Sequence, residues 1–576
     1  MDRILLLIAM LISFQTPAVA LEIDPDYYIY PVEDVAQLYS ANFGELRPDH
    51  FHSGIDIKTD QVEGKRVVAV ADGYVSRLGV SPTGYGLAIY VAHPNGTTSV
   101  YGHLSKFRPD IESRVQSERY ASKQHSITLY FKPGEFPVKR GDLIAYSGNS
   151  GSSSGPHVHY EIRESATQKP INVIKKGIIK PRDTRHPIFF NLHYFEIDSV
   201  GGVAYSAPRK SYTVLNPSTG QYQLNAKGNQ IEVGRKGYFV VEVSDRKDDV
   251  TNTFGIYSLD AQIDGDPFFR YQMDGFTFDQ TRYVNGVSGY AQKIGSRHEV
   301  IRLAQQERAT SQFYPTIKER GVVRCDSAQI REVAIVITDD CGLESTLRFN
   351  IVGKRQPFVA KVDPSLKIAY ADKPFGYRND GLNIYMSDNV LYESIPFRAE
   401  KMEPRTLQID STVRVVSPIY RVLSDSIPLH KAISISIDVD LPTADQSKAT
   451  MGKISRTGWC SNAGGTYGGG KVTLSTRSAG EYFVAIDDTP PVVVPNFVEG
   501  ANLSSSMSLS FDVRDNFSGV SKFNATIDGE WIALDLHKGR ITHKFVTPPS
   551  GGEHTIKITV SDAKGNSTTL TRKFKR

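Results

Sequence analysis

Two histidines stand one residue apart in Gly155-Pro156-His157-Val158-His159-Tyr160-Glu161-Ile162, and about a hundred residues upstream lies His52-Ser53-Gly54-Ile55-Asp56. In an extended strand alternate side chains leave the same face, so His157 and His159 project side by side while Val158 points into packing. Two imidazoles on one face, a distant histidine and a carboxylate match a catalytic zinc site. Such a site takes three protein ligands of nitrogen or oxygen and leaves a fourth position for water. A lone His-x-His pair would as readily hydrogen-bond on a surface, so the surrounding residues decide.

Between these two ends lie Tyr101-Gly102-His103-Leu104 and, before it, His93-Pro94-Asn95-Gly96. Further landmarks are Ala71-Asp72-Gly73-Tyr74-Val75, Gly84-Tyr85-Gly86 and Lys139-Arg140-Gly141-Asp142-Leu143-Ile144-Ala145. In order and spacing these motifs closely resemble the lysostaphin/LytM-type zinc endopeptidases that cut peptidoglycan cross-bridges, a family with the duplicated hybrid motif fold. The resemblance covers residues 40 to 175.

It implies that His52, Asp56 and His159 hold zinc, with His157 and His103 beside the metal as general base and acid, their order left open. Zinc with two neutral imidazoles and one carboxylate keeps enough charge to lower the pKa of bound water toward about 7. A histidine near its reference pKa of about 6.5 moves a proton between water and leaving amine. His50 offers a second ligand one strand repeat from His52, but the His-x-x-x-Asp spacing selects His52. His93 ends a strand-like run, Leu87 to Ala92, and reads as a structural hydrogen-bonding residue. His125 sits in an apparent insertion and is expected to be exposed. Asn42 lies upstream of the site, within reach of the metal in a closed form.

The run Ser147-Gly148-Asn149-Ser150-Gly151-Ser152-Ser153-Ser154-Gly155-Pro156 is not a phosphate loop, which needs Lys-Ser/Thr and a following helix. A Val/Tyr/Ile strand follows instead, and the glycines suit close backbone approach beside a substrate groove. Arg3, the apolar run Ile4 to Phe14 and Ala18-Val19-Ala20 read as a secretory signal peptide, residues 1–20, too short to span a membrane. No Cys follows it. The expected mature protein is exported, periplasmic or extracellular, not lipid-anchored, with no transmembrane segment. Cys325, Cys341 and Cys460 leave at least one thiol unpaired within the chain; Cys325 with Cys341 is the nearest pair. None lies in the peptidase region, which argues against a thiol nucleophile. A formal charge of +4 gives no case for nucleic acid.

The fold class expected is mainly β: an antiparallel β peptidase domain with an open groove, then several immunoglobulin-like β-sandwiches. The divisions are 21–185 for the peptidase region, with an insertion at about 107–136, then 186–355, 356–488 and 489–576. The insertion reads as a helix from Arg114 to Gln124 and a strand from Ser126 to Phe131, either flanking the groove or decorating the surface. Aligned ends reveal an internal repeat. One copy holds Val243-Ser244-Asp245, Ile263-Asp264-Gly265 and Ile337-Thr338-Asp339-Asp340-Cys341-Gly342. The other holds Val513-Arg514-Asp515, Ile527-Asp528-Gly529 and Val560-Ser561-Asp562-Ala563-Lys564-Gly565-Asn566. The earlier copy carries a long insertion around 270 to 325. Asp487-Asp488-Thr489-Pro490-Pro491 reads as a stiff linker into the last domain. Function is expected to be zinc-dependent hydrolysis of peptidoglycan cross-link peptides, D-alanyl–diaminopimelate bonds first, with the sandwiches positioning the enzyme or meeting other envelope proteins. The alternative is a non-catalytic envelope scaffold that activates another hydrolase. Such relatives usually lose metal ligands, and this chain keeps all five residues.

Overall fold

The computed structural model describes residues 22–545 and 549–576; the expected signal peptide lies outside them. Strands dominate, nearly all paired antiparallel. Among the described residues no helix is long and apolar enough to cross a membrane.

The first sheet has nine strands. Its main path uses β1 (Tyr39–Ala41), β2 (Ile55–Lys58), β3 (Gly73–Val80), β4 (Leu87–Ala92), β5 (Thr97–Leu104), β6 (Ile127–Tyr130) and β7 (His157–Glu164). They lie in the order β1-β2-β7-β5-β4-β3-β6, so the His-x-His strand is central, between β2 and β5. Val158, Tyr160 and Ile162 point into the core with Ile55 and Ile57 of β2. The alternate residues His157, His159, Glu161 and Arg163 leave the other face. A three-stranded sheet adds Val67, Phe107 and Ile144 to the same core. The stretch before β2 is built into this domain: Tyr28 and Val32 are core residues and β1 extends the sheet.

The inserted segment forms α1 (Pro109–Ser122) and β6. Pro109 opens the helix, Asp110 and Glu112 fill its first turn, and Lys123 closes it in a left-handed conformation. Its role is docking. Arg119, only 3% exposed, donates from Nη2 to the Leu534 carbonyl and to Asp535 Oδ1 at 2.9 and 2.8 Å. His125 corrects the expectation of exposure: it stacks between Phe523 and Trp531, donates to the Phe523 carbonyl and accepts from the Leu534 amide. The C-terminal β domain therefore folds back on the first one. Lys544 and Lys538 also reach it, donating to the Ser105 and Ser154 carbonyls.

A thirteen-stranded sheet follows, built on β8 (Ile188–Val200), β9 (Lys236–Ser244), β10 (Ser258–Ile263), β11 (Ile330–Thr338) and β12 (Glu344–Gly353). It shares its core with the first domain. Phe43, Leu46 and Phe51 pack among its buried residues, while Val250 and Phe254 join the core behind β7. Beyond it, five- and six-stranded sheets between residues 375 and 486 pack round one core. The C-terminal domain pairs a four-stranded with a five-stranded sheet; its main strands are β13 (Ser508–Arg514), β14 (Val520–Ile527), β15 (Glu553–Asp562) and β16 (Ser567–Lys575). Both repeat copies place Asp-Gly in a tight hairpin with positive φ, at Asp264-Gly265 and Asp528-Gly529. All three cysteines are free. The Cys325–Cys341 pairing is corrected: Cys325 Sγ donates to the Gln329 carbonyl, whereas Cys341 Sγ lies against Asp340 and Lys247.

At the junction of the first two domains Lys247 is buried among carboxylates. Its Nζ is 3.1 Å from Asp183, 3.4 Å from Asp245 and 2.6 Å from Asp340, with Asp339 adjacent. Burial outweighs Lys247 and pushes Asp245 up to about 8 and Asp339 to about 6. The folded chain thus binds more protons than the unfolded one above the ordinary carboxylate pKa of about 4, and stability falls as pH rises from there through 8. Asp245→Asn should flatten this slope, with a difference from wild type of about 3–4 kcal/mol developing between pH 5 and 8; urea unfolding at both pH values measures it.

Candidate metal centre

The register of β2 against β7 sets Asp56 directly opposite His159, so both side chains leave one face of adjacent strands. His52 enters from the turn before β2. That turn needs Gly54, where a Cβ would come within 2.3 Å of the Tyr160 carbonyl oxygen. The result is a triangle: His52 Nε2 to His159 Nδ1 is 3.1 Å, His159 Nδ1 to Asp56 Oδ1 3.0 Å, and His52 Nε2 to Asp56 Oδ1 3.2 Å. Zinc bonds of about 2.0–2.1 Å in tetrahedral array give ligand separations of roughly 3.3 Å. All three residues are largely buried.

The ring nitrogens facing away fix the tautomers. His52 Nδ1 donates to the Asn42 carbonyl at 2.8 Å, and His159 Nε2 to Glu161 Oε1 at 2.7 Å. His52 Nε2, His159 Nδ1 and Asp56 Oδ1 therefore turn three lone pairs on one point, a donor set that fits a cation. The surroundings favour positive charge there. A proton on Nδ1 answers the same demand when no cation does: burial lowers His159, yet hydrogen bonds from both its nitrogens, to Asp56 and Glu161, hold it up at about 9, so a metal would have to displace that proton. Burial likewise opposes the charge on Asp56, but His52, His157 and His159 keep its carboxyl well below the usual range.

Glu161 is fully buried and was not singled out from the sequence, although it continues the same-face series His157, His159, Glu161, Arg163. Arg163 Nε, Tyr85 Oη and Ser53 Oγ donate to it at 2.6, 2.6 and 2.8 Å. Arg163 in turn lies 4.5 Å from the centre of the Phe278 ring, which comes from the insertion of the second domain. Phe276 of the same insertion packs on Phe43 and Phe51, and Thr281 Oγ1 accepts from the Phe51 amide. The second domain thus forms part of the wall round the site, a tertiary contact with no local signal.

His103 and His157 stand beside the triangle, ring centroids 4.7 Å apart. His103 Nδ1 donates to the Ser150 carbonyl and His157 Nδ1 to the Gly155 carbonyl, each at 2.8 Å, so both keep Nε2 for chemistry. His157 Nε2 lies 3.6 Å from Asp56 Oδ1. His103 has φ of 61° at an irregularity in the β4–β5 ladder, a strained conformation for a non-glycine residue that swings its ring over the site. Burial first, then charge on His159 and His157, push it down to about 3. The Gly/Ser run forms the loop that holds these rings, through the Ser150 and Gly155 carbonyls. His50 turns out to an exposed pairing with Asp49, and His93 is buried between the Asp72 carbonyl and Ser99 Oγ. Asn42 corrects the idea of a side chain approaching the metal. Its amide bonds Gly255 and Asp340 of the second domain, and only its backbone carbonyl serves the site.

Residues 50–126 match the model of peptidase family M23, and residues 367–487 match that of a Zu5-like domain. The M23 match takes in His52, Asp56 and His103; β7 brings His157 and His159 to them. The DD-carboxypeptidase/endopeptidase Mpg of Neisseria meningitidis is 32% identical over 134 residues, 23% of this chain and 24% of its own length. An uncharacterized metalloprotease of Haemophilus influenzae is 35% identical over 118 residues, 20% of this chain and 19% of its own. The chain therefore spans about a quarter or less of the length of these curated relatives. Among solved structures, a mutant catalytic domain of the prophage-encoded M23 protein EnpA from Enterococcus faecalis aligns with 24% of this chain and 88% of its own at 26% identity and TM-score 0.18.

Because Glu161 fixes the His159 tautomer, Glu161→Gln should weaken zinc binding 10–100-fold while His159 stays in place. Competition for zinc with a chromogenic chelator measures the change; unaltered affinity would refute the role.

Proposed function

We propose that this chain, through the peptidase family M23 domain it carries, is an exported zinc endopeptidase that hydrolyses peptide cross-links of cell-wall peptidoglycan. The observation that carries the reading is the triangle of His52 Nε2, Asp56 Oδ1 and His159 Nδ1 with its tautomers fixed from behind. A zinc ion held there supplies a Lewis acid and brings the pKa of a water toward about 7. The protein's own part is positional and protonic. Asn42 and Glu161 lock the two imidazoles, and Asp56 offsets part of the cation's charge. His157 and His103 each present Nε2 to the reacting atoms, to take the proton of the attacking water and return it to the leaving amine nitrogen. The relatives named DD-carboxypeptidase/endopeptidase support a bond after a D-alanyl residue, here the D-alanyl–diaminopimelate cross-link. Export, to the periplasm or beyond, rests on the signal-like residues 1–20.

Digestion of purified cross-linked peptidoglycan, read by mass spectrometry with and without chelator, tests this. Chelator-sensitive conversion of dimers to monomers is expected. His103→Ala should keep stoichiometric zinc and lose 10²–10⁴-fold in turnover; His159→Ala should lose both. Full zinc with no cleavage of any cross-link would turn the reading to a non-catalytic envelope scaffold.

A further inference from the structure

The internal repeat builds one acidic triad twice, each time where a linker enters a β domain. In the earlier copy Asp183, Asp245 and Asp339 gather; in the later copy Asp487, Asp515 and Asp562 do, in each case with carboxylate oxygens within 4.8 Å of one another. The two match in detail. Asp183 precedes Pro187 by four residues and Asp487 precedes Pro491 by four. The Pro187 carbonyl accepts from Ser345 and the Pro491 carbonyl from Thr568. Asp339 and Asp562 each donate their amide to the carbonyl four residues on, of Leu343 and Asn566, around a glycine of positive φ.

They differ in what neutralises them. The earlier triad holds a cation, the Lys247 ammonium, and the raised Asp245 and Asp339 take up protons for the remainder. Two residues after Asp515, where the earlier copy has Lys247, stands Phe517. Among the described residues no Lys, Arg or His side chain pairs with Asp487, Asp515 or Asp562; Lys564 reaches Asp562 Oδ1 only through its backbone amide, at 2.8 Å. The nearby Lys564 Nζ instead donates to the Ala449 and Gly465 carbonyls. Asp487 is 0% and Asp562 3% exposed. Backbone amides of Ser518, Gly519 and Asn566 serve one oxygen of each carboxylate. The Asn566 side-chain amide donates to Asp562 Oδ2 at 2.6 Å and the Thr489 amide to Asp487 Oδ1 at 3.4 Å, but Asp515 Oδ1 is shielded from solvent and unbonded, as is Ser518 Oγ on a residue only 8% exposed whose own amide bonds Asp487. Three clustered carboxylates served by neutral N–H donors and by no cationic side chain leave a net negative charge at this point.

We propose that Asp487, Asp515 and Asp562, with Ser518 Oγ beside them, bind a hard divalent cation of the calcium class, and that Lys247 takes the place of that cation in the earlier copy. Oxygen ligands alone select such an ion over zinc, and calcium accepts the six to eight oxygens that carboxylates, hydroxyl and water supply. Asp487 directly follows the last strand of the third domain, Gly480–Ile486, so the ion would tie that domain to the C-terminal one and fix the latter's seat on α1.

The test is calcium chloride titrated calorimetrically into residues 22–576 loaded with zinc and freed of other metals, with thermal unfolding alongside. One calcium per chain with a Kd below about 1 mM is expected, and a rise in unfolding temperature on saturation. Asp515→Asn, at a half-exposed position, should weaken binding at least tenfold; Asp245→Asn should leave it unchanged. Phe517→Lys, which supplies an ammonium as the earlier copy does, should abolish calcium binding and the calcium-dependent stabilisation while the chain remains folded by circular dichroism. No calcium uptake by wild type, equal affinity in Asp515→Asn, or full binding by a folded Phe517→Lys chain would each overturn the proposal. His159→Ala should not alter the calcium isotherm, which keeps this site apart from the zinc centre.

Discussion

Three lone pairs held about 3 Å apart and aimed at one point repel one another, and much of the first domain exists to keep them there. Register does most of this. A slip of one residue between β2 and β7 would carry Asp56 to the core side and His159 with its partners off the face. The core residues Ile55, Ile57, Val158, Tyr160 and Ile162 forbid the slip, because each would then turn toward the polar side. The same alternation that buries them delivers the ligands. Behind the ligands, Glu161 carries a full charge inside the protein. It is tolerable only because Arg163, His159, Tyr85 and Ser53 together satisfy both its oxygens. Burial opposes the charge and Arg163 with His159 reverses the outcome, holding the carboxyl far below its ordinary range.

The candidate site was legible in the sequence because its residues sit at short spacings: His-x-x-x-Asp, Tyr-Gly-His and His-x-His each span a single turn or strand. The mainly β class was legible for a similar reason, in period-two runs of branched and aromatic residues between Gly, Asp and Asn turns. Glu161 and Arg163 obey the same period as His157 and His159 and were within reach of that rule. What stayed hidden depends on distance in the chain. Nothing near Phe278 says that it covers Arg163, more than a hundred residues earlier, and nothing in Arg119 or His125 announces Asp535 or Trp531. Asn42 was misjudged for this cause: its side chain answers to Gly255 and Asp340, which the local sequence cannot place beside it.

The left-handed backbone of His103 is a second kind of hidden feature. No local pattern asks a histidine within a buried strand to take positive φ, and the extra residue is absorbed by an irregular ladder between β4 and β5. Gly102 helps, since Tyr85 and His159 lie against it where any Cβ would crowd them, 3.1 and 3.4 Å away. Strain of this kind persists only where neighbours overdetermine it. Here the Tyr85 carbonyl takes the His103 amide and the Ser150 carbonyl takes its ring.

The mutual trespass of Phe43, Leu46 and Phe51 into one core and of Val250 and Phe254 into the other has a consequence for inheritance. Domains that meet at polar linkers can be shuffled among genes, because each carries its own apolar interior to a new host. These two cannot. A transplanted first domain would arrive with three bare aromatic and aliphatic side chains and without the segment that roofs Arg163. Substitutions on either side of the seam must therefore be matched on the other.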